Sequence, residues 1–209
     1  MKMKEVLIYA DIIDSEGVIR NNIKPWEEIL QPALMQLNQQ YQSCFIIPFE
    51  IVAGDAFGAV VDNLNNAISI ILSIQAILSP IGVRIALVDK TIQYGIETKH
   101  FNQLQGSALW IANDSINKLK KNKMLFSACL VDERLSEILE SLINLIFSIR
   151  RRWNEKTWAV SDLLQQGKTQ QEIAIQLGTS QQNISRISAK NDLYLIKECE
   201  QKIFKVFEL

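Results

Sequence analysis

The chain has 209 residues, of which 48% are hydrophobic, and this is enough for one ordinary core and a smaller module. The formal net charge of -1 gives no electrostatic indication of function, and the longest apolar stretch, residues 67–83, contains polar residues and falls short of a membrane span. Three isolated cysteines exclude a disulfide framework and a paired-cysteine zinc site, and the N-terminus lacks the features of a signal peptide. We therefore expect a cytoplasmic protein that has no membrane partner.

The spacing of apolar residues predicts a mixed order of strands and helices. In chain order these are strand 5–13, helix 25–42, strands 44–51 and 56–61, helix 64–78, strand 83–88, helix 106–121, strand 125–131 and helix 133–149. The order begins as the split βαβ pattern of ferredoxin-like sheets and adds elements at its end. The predicted fold class is therefore α+β, with a ferredoxin-like antiparallel sheet. Any other small α+β sandwich is the alternative.

Two acidic residues stand at unusual places in this pattern. Asp11 interrupts the apolar run EVLIYADII, and Asp55 follows Gly54 at the tip of a predicted hairpin, IVAGDAFGAVV. Gly-Asp is favourable turn chemistry, so the simplest interpretation of Asp55 is a turn residue. If the first strand lies beside the hairpin, however, the two acids meet at one edge of the sheet. Two carboxylates and a backbone carbonyl suit Mg²⁺ or Mn²⁺ carrying phosphates.

These residues resemble those of a known group of enzymes. IYADIID, followed some 40 residues later by VAGDAF, is similar to the palm domain of class III nucleotidyl cyclases and of GGDEF diguanylate cyclases. The whole chain, with ADIIDS, GDAF, a later GSALWIA and a helical tail, resembles the SatD family of bacterial proteins. The resemblance spans nearly the full length, although each motif is short.

The cyclase resemblance implies a site with a nucleotide and Mg²⁺ or Mn²⁺. It places Asp11 and Asp55 at the two metal-acid positions, and the candidate nucleotide-binding residues are Ile12, Asp14, Ser15 and Gly54. Ile12 would offer its carbonyl, and the residues that follow it would cradle a triphosphate with backbone amides. A plain loop is the alternative for residues 14–17. A further alternative is that both acids only preserve the fold.

The sequence departs from the cyclase pattern at the groups that act on the transition state. Cyclases have an Asn and, four residues on, an Arg, which orient the ribose and stabilise the transferring phosphate. Matching Gly106 puts Trp110 and Asp114 at those positions, and Ala56 replaces the catalytic Glu of the diguanylate cyclase hairpin. We therefore assign no catalytic residue and favour, equally, a domain that binds a nucleotide without turnover and a domain that serves only as a scaffold.

The last part of the chain carries the most specific motif. Residues 150–209 have 10 Lys or Arg against 7 Asp or Glu, whereas residues 1–149 have 12 against 16. Thr169 and Glu172 form a predicted capping box, Ala174 permits close helix crossing and Gly178 makes a turn. The run resembles the helix-turn-helix of bacterial repressors and sigma-type regulators. This resemblance implies that the second helix, residues 180–190, enters the major groove of double-stranded DNA.

Polar and basic side chains on this helix pair are the candidate DNA contacts. They are Thr169, Gln170, Ser180, Gln181, Gln182, Ser185, Arg186 and Lys190. A helix pair used only for protein contacts is the alternative. Trp153 and Trp158 are predicted packing anchors, and His100 is a predicted surface residue. The lysines near residue 120 are interpreted as a solvated helix end.

These observations lead to two functional hypotheses. The first is a cytoplasmic DNA-binding transcriptional regulator whose palm-like domain binds a nucleotide or mediates dimerisation, and a homodimer is expected because such modules read paired half-sites. The alternative is a divergent metal-dependent nucleotidyl cyclase or nucleotidyltransferase with a DNA-binding tail. The predicted domains are a palm-like domain at 1–131, a connecting helix at 132–152 and a helix-turn-helix domain at 153–209.

Overall fold

The structure is a computed structural model, and it describes residues 5–14 and 26–207. The chain divides into two compact units, Met1–Asn144 and Leu145–Leu209. The predicted boundaries at 131 and 152 remain predictions. Within the described ranges, no helix has the length and apolar content that a membrane span requires.

The first unit contains a five-stranded sheet. Its strands are β1 (Val6–Ile12), β2 (Phe45–Ala53), β3 (Ala56–Val61), β4 (Val83–Val88) and β5 (Phe126–Cys129). The order is β2-β3-β1-β4-β5, with β4 and β5 parallel and the other neighbours antiparallel. The α+β class is confirmed, and the first four strands have the order and directions of the predicted split βαβ pattern.

Helices cover this sheet. In the first unit they are α1 (Trp26–Gln40), α2 (Leu64–Leu78) and α3 (Ser107–Asn122), and α4 (Glu133–Arg150) continues into the second unit. Every residue of β1 is buried, and because strand side chains alternate between faces, β1 is covered on both sides. The apolar cluster of one face joins Leu7 and Tyr9 of β1 to Ala108, Ala112 and Leu119 of α3. Helix α3 therefore lies over the face that Asp11 shares.

The last strand is shorter than predicted, since β5 ends at Cys129 rather than at residue 131. The backbone N–H of Leu130 donates to Ser136 Oγ instead of continuing the ladder. Two side chains of α4 satisfy backbone groups along β5. Asn144 Oδ1 accepts from the N–H groups of residues 125 and 126, and Glu140 Oε1 accepts from that of residue 128. Because these side chains accept hydrogen bonds from the backbone N–H groups, those groups are not left to pair with another strand.

The second unit contains the end of α4 and four further helices. They are α5 (Glu155–Gln165), α6 (Gln170–Gln176), α7 (Gln181–Lys190) and α8 (Leu193–Phe207). The predicted capping box of α6 is confirmed, because Thr169 and Glu172 exchange side-chain and backbone hydrogen bonds. Gly178 has a φ of +60°, which suits glycine in the turn before α7. The predicted helix pair is thus present in the chain.

Candidate functional site

Asp11 lies near the end of β1 and is buried in the sheet. Only 5% of the residue is exposed. Because strand side chains alternate, Asp11 faces the same side as Tyr9 and lies under α3. A buried carboxylate is costly unless cations or hydrogen-bond donors compensate its charge. The surroundings of Asp11 provide two such cations.

Arg84 and Lys120 contact the two oxygens of the Asp11 carboxylate. Arg84 stands directly opposite Asp11 in the β1–β4 register, and its Nη1 lies 3.3 Å from Oδ2. Lys120, in the last turn of α3, places its Nζ 3.0 Å from Oδ1. The interpretation of the lysine cluster as a solvated helix end is therefore wrong for Lys120. Its side chain remains 47% exposed, compared with 17% for Arg84, so it is the more easily displaced of the two.

Asp55 occupies the turn between β2 and β3. Gly54 adopts a φ of +58°, in the left-handed region that glycine tolerates, and the strands resume with the pair Ala53 and Ala56. Ala56 is also the direct partner of Asp11 across the β1–β3 ladder. Asp55 therefore directly precedes Ala56, the residue paired with Asp11. The Asp55 side chain is only partly buried.

The electrostatic environment of Tyr9 shows that the two acids share one neighbourhood. Burial raises the pKa of the Tyr9 phenol above its ordinary value, and the carboxylates of Asp11 and Asp55 raise this pKa further. The phenol therefore stays protonated at neutral pH. The ring of Tyr9 stacks on Phe101 at 6.1 Å, and the Phe101 ring in turn covers Gly58, where an added Cβ would lie 2.3 Å from it.

The loop before α3 is fastened to this face of the sheet. Glu50 of β2 accepts hydrogen bonds from the Phe101 backbone N–H at 2.8 Å and pairs with His100 at 3.0 Å. The predicted surface residue His100 is exposed but has this partner. Gln93 accepts from the Ser107 N–H at the start of α3. Phe101, and with it Tyr9, is thus held beside the acids.

The other candidate nucleotide-binding residues lie beside the two acids in the chain. Ile12 is the last residue of β1 and is buried, whereas Asp14 is exposed and has a φ of 54°. Gly54 is exposed beside Asp55. Ser15 lies outside the described residues. The two positions where cyclases have Asn and Arg lie on α3, where Trp110 is 80% exposed and Asp114 pairs with Lys118 at 2.7 Å.

The donor set determines which kind of metal the site suits. The described part of the chain has no group of three or more His, Cys, Asp or Glu side chains that could hold an ion. Mg²⁺, however, keeps several waters and is commonly held by one or two carboxylates together with substrate phosphates. Asp11 and Asp55 fit a metal that arrives with a nucleotide. They do not fit a metal held by protein side chains alone.

The sequence motifs do not indicate Arg84 or Tyr9, and they indicate Lys120 only as one lysine of a basic cluster, for which phosphate contact and a solvated helix end are the two interpretations. One signal for Arg84 was available, because VRIALV is a predicted strand with a single charged residue. Pairing that strand with EVLIYADII places the charges opposite one another. Lys120 has no such local signal, since it lies 109 residues from Asp11 in sequence.

In the second unit, several predicted DNA contacts form hydrogen bonds within the chain. Gln181 Nε2 donates to Gln170 Oε1 at 2.6 Å, and Gln170 Nε2 donates to the Tyr194 hydroxyl at 2.9 Å. Arg186 donates to Asn183 at 3.0 Å. Two further candidates, Thr169 and Ser180, cap α6 and α7. Ser185 is partly buried, whereas Gln182 and Lys190 are exposed.

Arg150 forms the buried polar centre of this unit. It makes an ion pair with Glu200, which also accepts a hydrogen bond from Gln165 at 2.6 Å. The guanidinium lies 5.3 Å from the ring centre of Trp153 and 5.4 Å from that of Trp158. Burial lowers the pKa of Arg150 and raises the pKa of Glu200, while their mutual attraction opposes both shifts. The two tryptophans are therefore packing anchors, as predicted.

Comparisons with known proteins identify a family. The model described as the SatD family matches residues 5–202. Among solved structures, adenylate cyclases from Trypanosoma brucei in their monomeric state are 13% identical, with a TM-score of 0.41, covering 55% of this chain and 68% of that one. A bacterial light-regulated adenylyl cyclase is 14% identical, with a TM-score of 0.43, covering 59% and 74%. No curated protein matches the sequence.

The first functional hypothesis, a DNA-binding transcriptional regulator, is corrected by these findings. The similar solved structures named above are adenylyl cyclases. Double-stranded DNA as a partner and a homodimer remain untested predictions.

Proposed function

The chain belongs to the SatD family, and we propose that its N-terminal unit is a divergent nucleotidyl cyclase or nucleotidyltransferase that binds a nucleoside triphosphate with Mg²⁺ or Mn²⁺. The arrangement around Asp11 carries the proposal. Two carboxylates, Asp11 and Asp55, lie at the turn end of β1 and β3, and two cations, Arg84 and Lys120, lie against the first of them. A metal–triphosphate complex needs both kinds of charge, acids for the ion and bases for the phosphates.

In the proposed mechanism, Asp11 and Asp55 hold the ion. When bound, the divalent ion supplies positive charge that stabilises the transferring phosphoryl group. Lys120 leaves Asp11 and turns to a phosphate oxygen, which its half-exposed side chain permits. Arg84 stays beside Asp11 and continues to offset its buried negative charge. The Tyr9 phenol keeps its proton because its pKa is raised, so it remains a neutral hydrogen-bond donor.

The rate expected of such an enzyme is low. The exposed Trp110 and the Lys118-bound Asp114 replace the Asn and Arg of the cyclase pattern, so those transition-state contacts are missing. Loss of one preorganised donor of this type costs about 10² to 10³ in rate. We therefore expect slow turnover rather than the rate of a complete cyclase.

We also infer that α6 and α7 form a helix-turn-helix as an architecture. The capping box, the turn at Gly178 and the buried Ile173 and Ile184 between the helices support this inference. The proposal includes no role in transcription. It concerns only how the second unit is built.

Product analysis tests the proposed function. The purified chain is incubated with Mn²⁺ or Mg²⁺ and each nucleoside triphosphate, and the products are separated by anion-exchange chromatography. We expect slow, metal-dependent formation of a cyclic or nucleotidyl product with pyrophosphate release. Asp55→Asn should abolish it, whereas Glu97→Gln, which removes an exposed charge elsewhere in this unit, should leave it unchanged. Metal-dependent binding without any product would overturn the enzymatic assignment.

A further inference from the structure

The second unit contains a basic cleft that the proposed function does not use. It has a volume of about 690 Å³ and lies between the segment after α4, the first turn of α5 and one side of α7. Four of its lining residues are cationic, namely Arg152, Lys156, Arg186 and Lys190. Asp192 is the one acidic residue in the lining. We name this feature the basic cleft.

The four cations have no acidic partners to neutralise them. In the part of the chain that the structure describes, none of them forms an ion pair, whereas the adjacent Arg150 is buried and paired with Glu200. All four are exposed. Like charges that converge without partners repel one another and create a positive potential in a concave site. Such a site favours an anion that can bridge them.

The remaining lining adds specificity to this charge. Asn183 accepts the hydrogen bond from Arg186 at 3.0 Å and donates to Thr179 at 2.9 Å, which fixes the guanidinium over the cleft wall. Trp153, which is 5% exposed, contributes apolar surface, and its indole N–H has no hydrogen-bond partner among the described residues. A ligand with both an aromatic or apolar part and several anionic oxygens would match this lining.

We propose that the basic cleft binds a small polyphosphorylated ligand of nucleotide size. The volume falls in the range of about 300 to 1,000 Å³ that is typical of small-molecule sites. The two arginines can each form bidentate hydrogen bonds with a phosphate, and the two lysines each add a compact positive charge. Together they suit an anion with more than one phosphate. A DNA duplex fits less well, because the candidate base-reading residues Gln181 and Gln182 are not part of the cleft lining. The proposal is independent of the metal site in the first unit.

The test measures binding without metal, so that the site of the proposed function cannot contribute through a metal. Tripolyphosphate and ATP are titrated by calorimetry into the full chain in the presence of EDTA. Arg186→Gln/Lys190→Gln and Arg152→Gln/Lys156→Gln each remove two charges from one wall. Arg151→Gln/Lys205→Gln is the matched control, because both residues are exposed cations of the same unit outside the cleft. Lys99→Met removes an exposed cation of the first unit that has no part in the proposed metal site, and it is the second control.

We expect wild type to bind both probes and each cleft pair to weaken binding by about tenfold or more, since hydrogen bonds to charged groups are being removed. The control pair and Lys99→Met should stay within about twofold of wild type. Circular dichroism melting of each variant checks that the fold is retained. No binding by wild type, or an equal loss in the control pair, would overturn the proposal. So would tight binding of a 20-base-pair duplex that tripolyphosphate fails to displace.

Discussion

Replacement of Lys120 by Met should change the binding of metal alone and of metal with nucleotide in opposite directions. Lys120 and a divalent ion compete for Asp11 Oδ1, which Lys120 contacts at 3.0 Å. Met keeps the aliphatic part of the side chain and removes the charge. The free ion should therefore bind more tightly to the variant. The metal–nucleotide complex should bind less tightly, because a phosphate loses its cationic partner.

The size of each effect follows from the exposure of the pair. Lys120 is half exposed, so its contact with Asp11 belongs to the class of pairs worth about 0.2 to 1 kcal/mol. Removing this competitor should strengthen metal binding by up to about fivefold, since 1.4 kcal/mol corresponds to tenfold. A hydrogen bond between a Lys and a phosphate is worth about 1.5 to 3 kcal/mol. This loss exceeds the gain, so the complex should bind more weakly overall.

Calorimetric titration of Mn²⁺, with and without a nonhydrolysable nucleoside triphosphate, measures both effects. Lys121→Met is the matched control, because Lys121 is the exposed neighbour in the same helix and makes no contact with Asp11. The control should behave as wild type in both titrations. If Lys120→Met and wild type bind free Mn²⁺ equally, Lys120 does not compete for the metal position and the reasoning is refuted.

Three further predictions concern interactions within each unit. Glu200→Gln leaves the buried Arg150 without its counter-charge and should destabilise the second unit by about 3 to 5 kcal/mol in urea unfolding; a loss below about 1 kcal/mol would show that the pair behaves as an exposed one. Gly58→Ala forces an added Cβ against an aromatic ring 2.3 Å away and should cost about 1 to 3 kcal/mol in thermal melting, whereas unchanged stability would show that the ring moves freely. Hydrogen bonds from Thr169 lower the pKa of Glu172, so this interaction stabilises the fold above the ordinary Glu pKa and is lost as the pH falls through the lowered value. Thr169→Ala should raise the Glu172 pKa towards its ordinary value in a carboxyl ¹³C titration, and an unchanged pKa would contradict the capping box.

Much of the first unit could be predicted from local patterns. The hairpin at Gly54 and the helix of residues 64–78 follow from turn chemistry and apolar spacing. The second strand of the hairpin and the helix have the predicted bounds, whereas β2 runs over Phe45–Ala53 rather than 44–51. The end of β5 could not be predicted, because Ser136 of the next helix competes for the backbone of Leu130. Apolar spacing does not report such a competition. It depends on how the helix packs after the strand has formed.

The site was predictable only in part, for a related reason. The two acids are visible in the sequence because a charge in an apolar run is anomalous. The cations that offset the charge of Asp11 are not visible in the same way, because Arg84 and Lys120 lie 73 and 109 residues from it in the sequence. Three consecutive arginines in the tail show the same limit. Arg150 is buried and paired while Arg152 lines the basic cleft, and only the helical geometry separates their roles.

The central claim is that Asp11 and Asp55 hold one divalent ion together with a nucleotide. Electron paramagnetic resonance of Mn²⁺ counts bound ions directly and needs no turnover. The measurement uses chains that also carry Arg186→Gln/Lys190→Gln, so that Mn²⁺ carried by nucleotide in the basic cleft is not counted. We predict one bound Mn²⁺ per chain in the presence of nucleotide, and loss of this ion when Asp11→Asn or Asp55→Asn is added, while added Glu97→Gln leaves it bound. Equal Mn²⁺ binding in wild type and both aspartate variants would contradict the account.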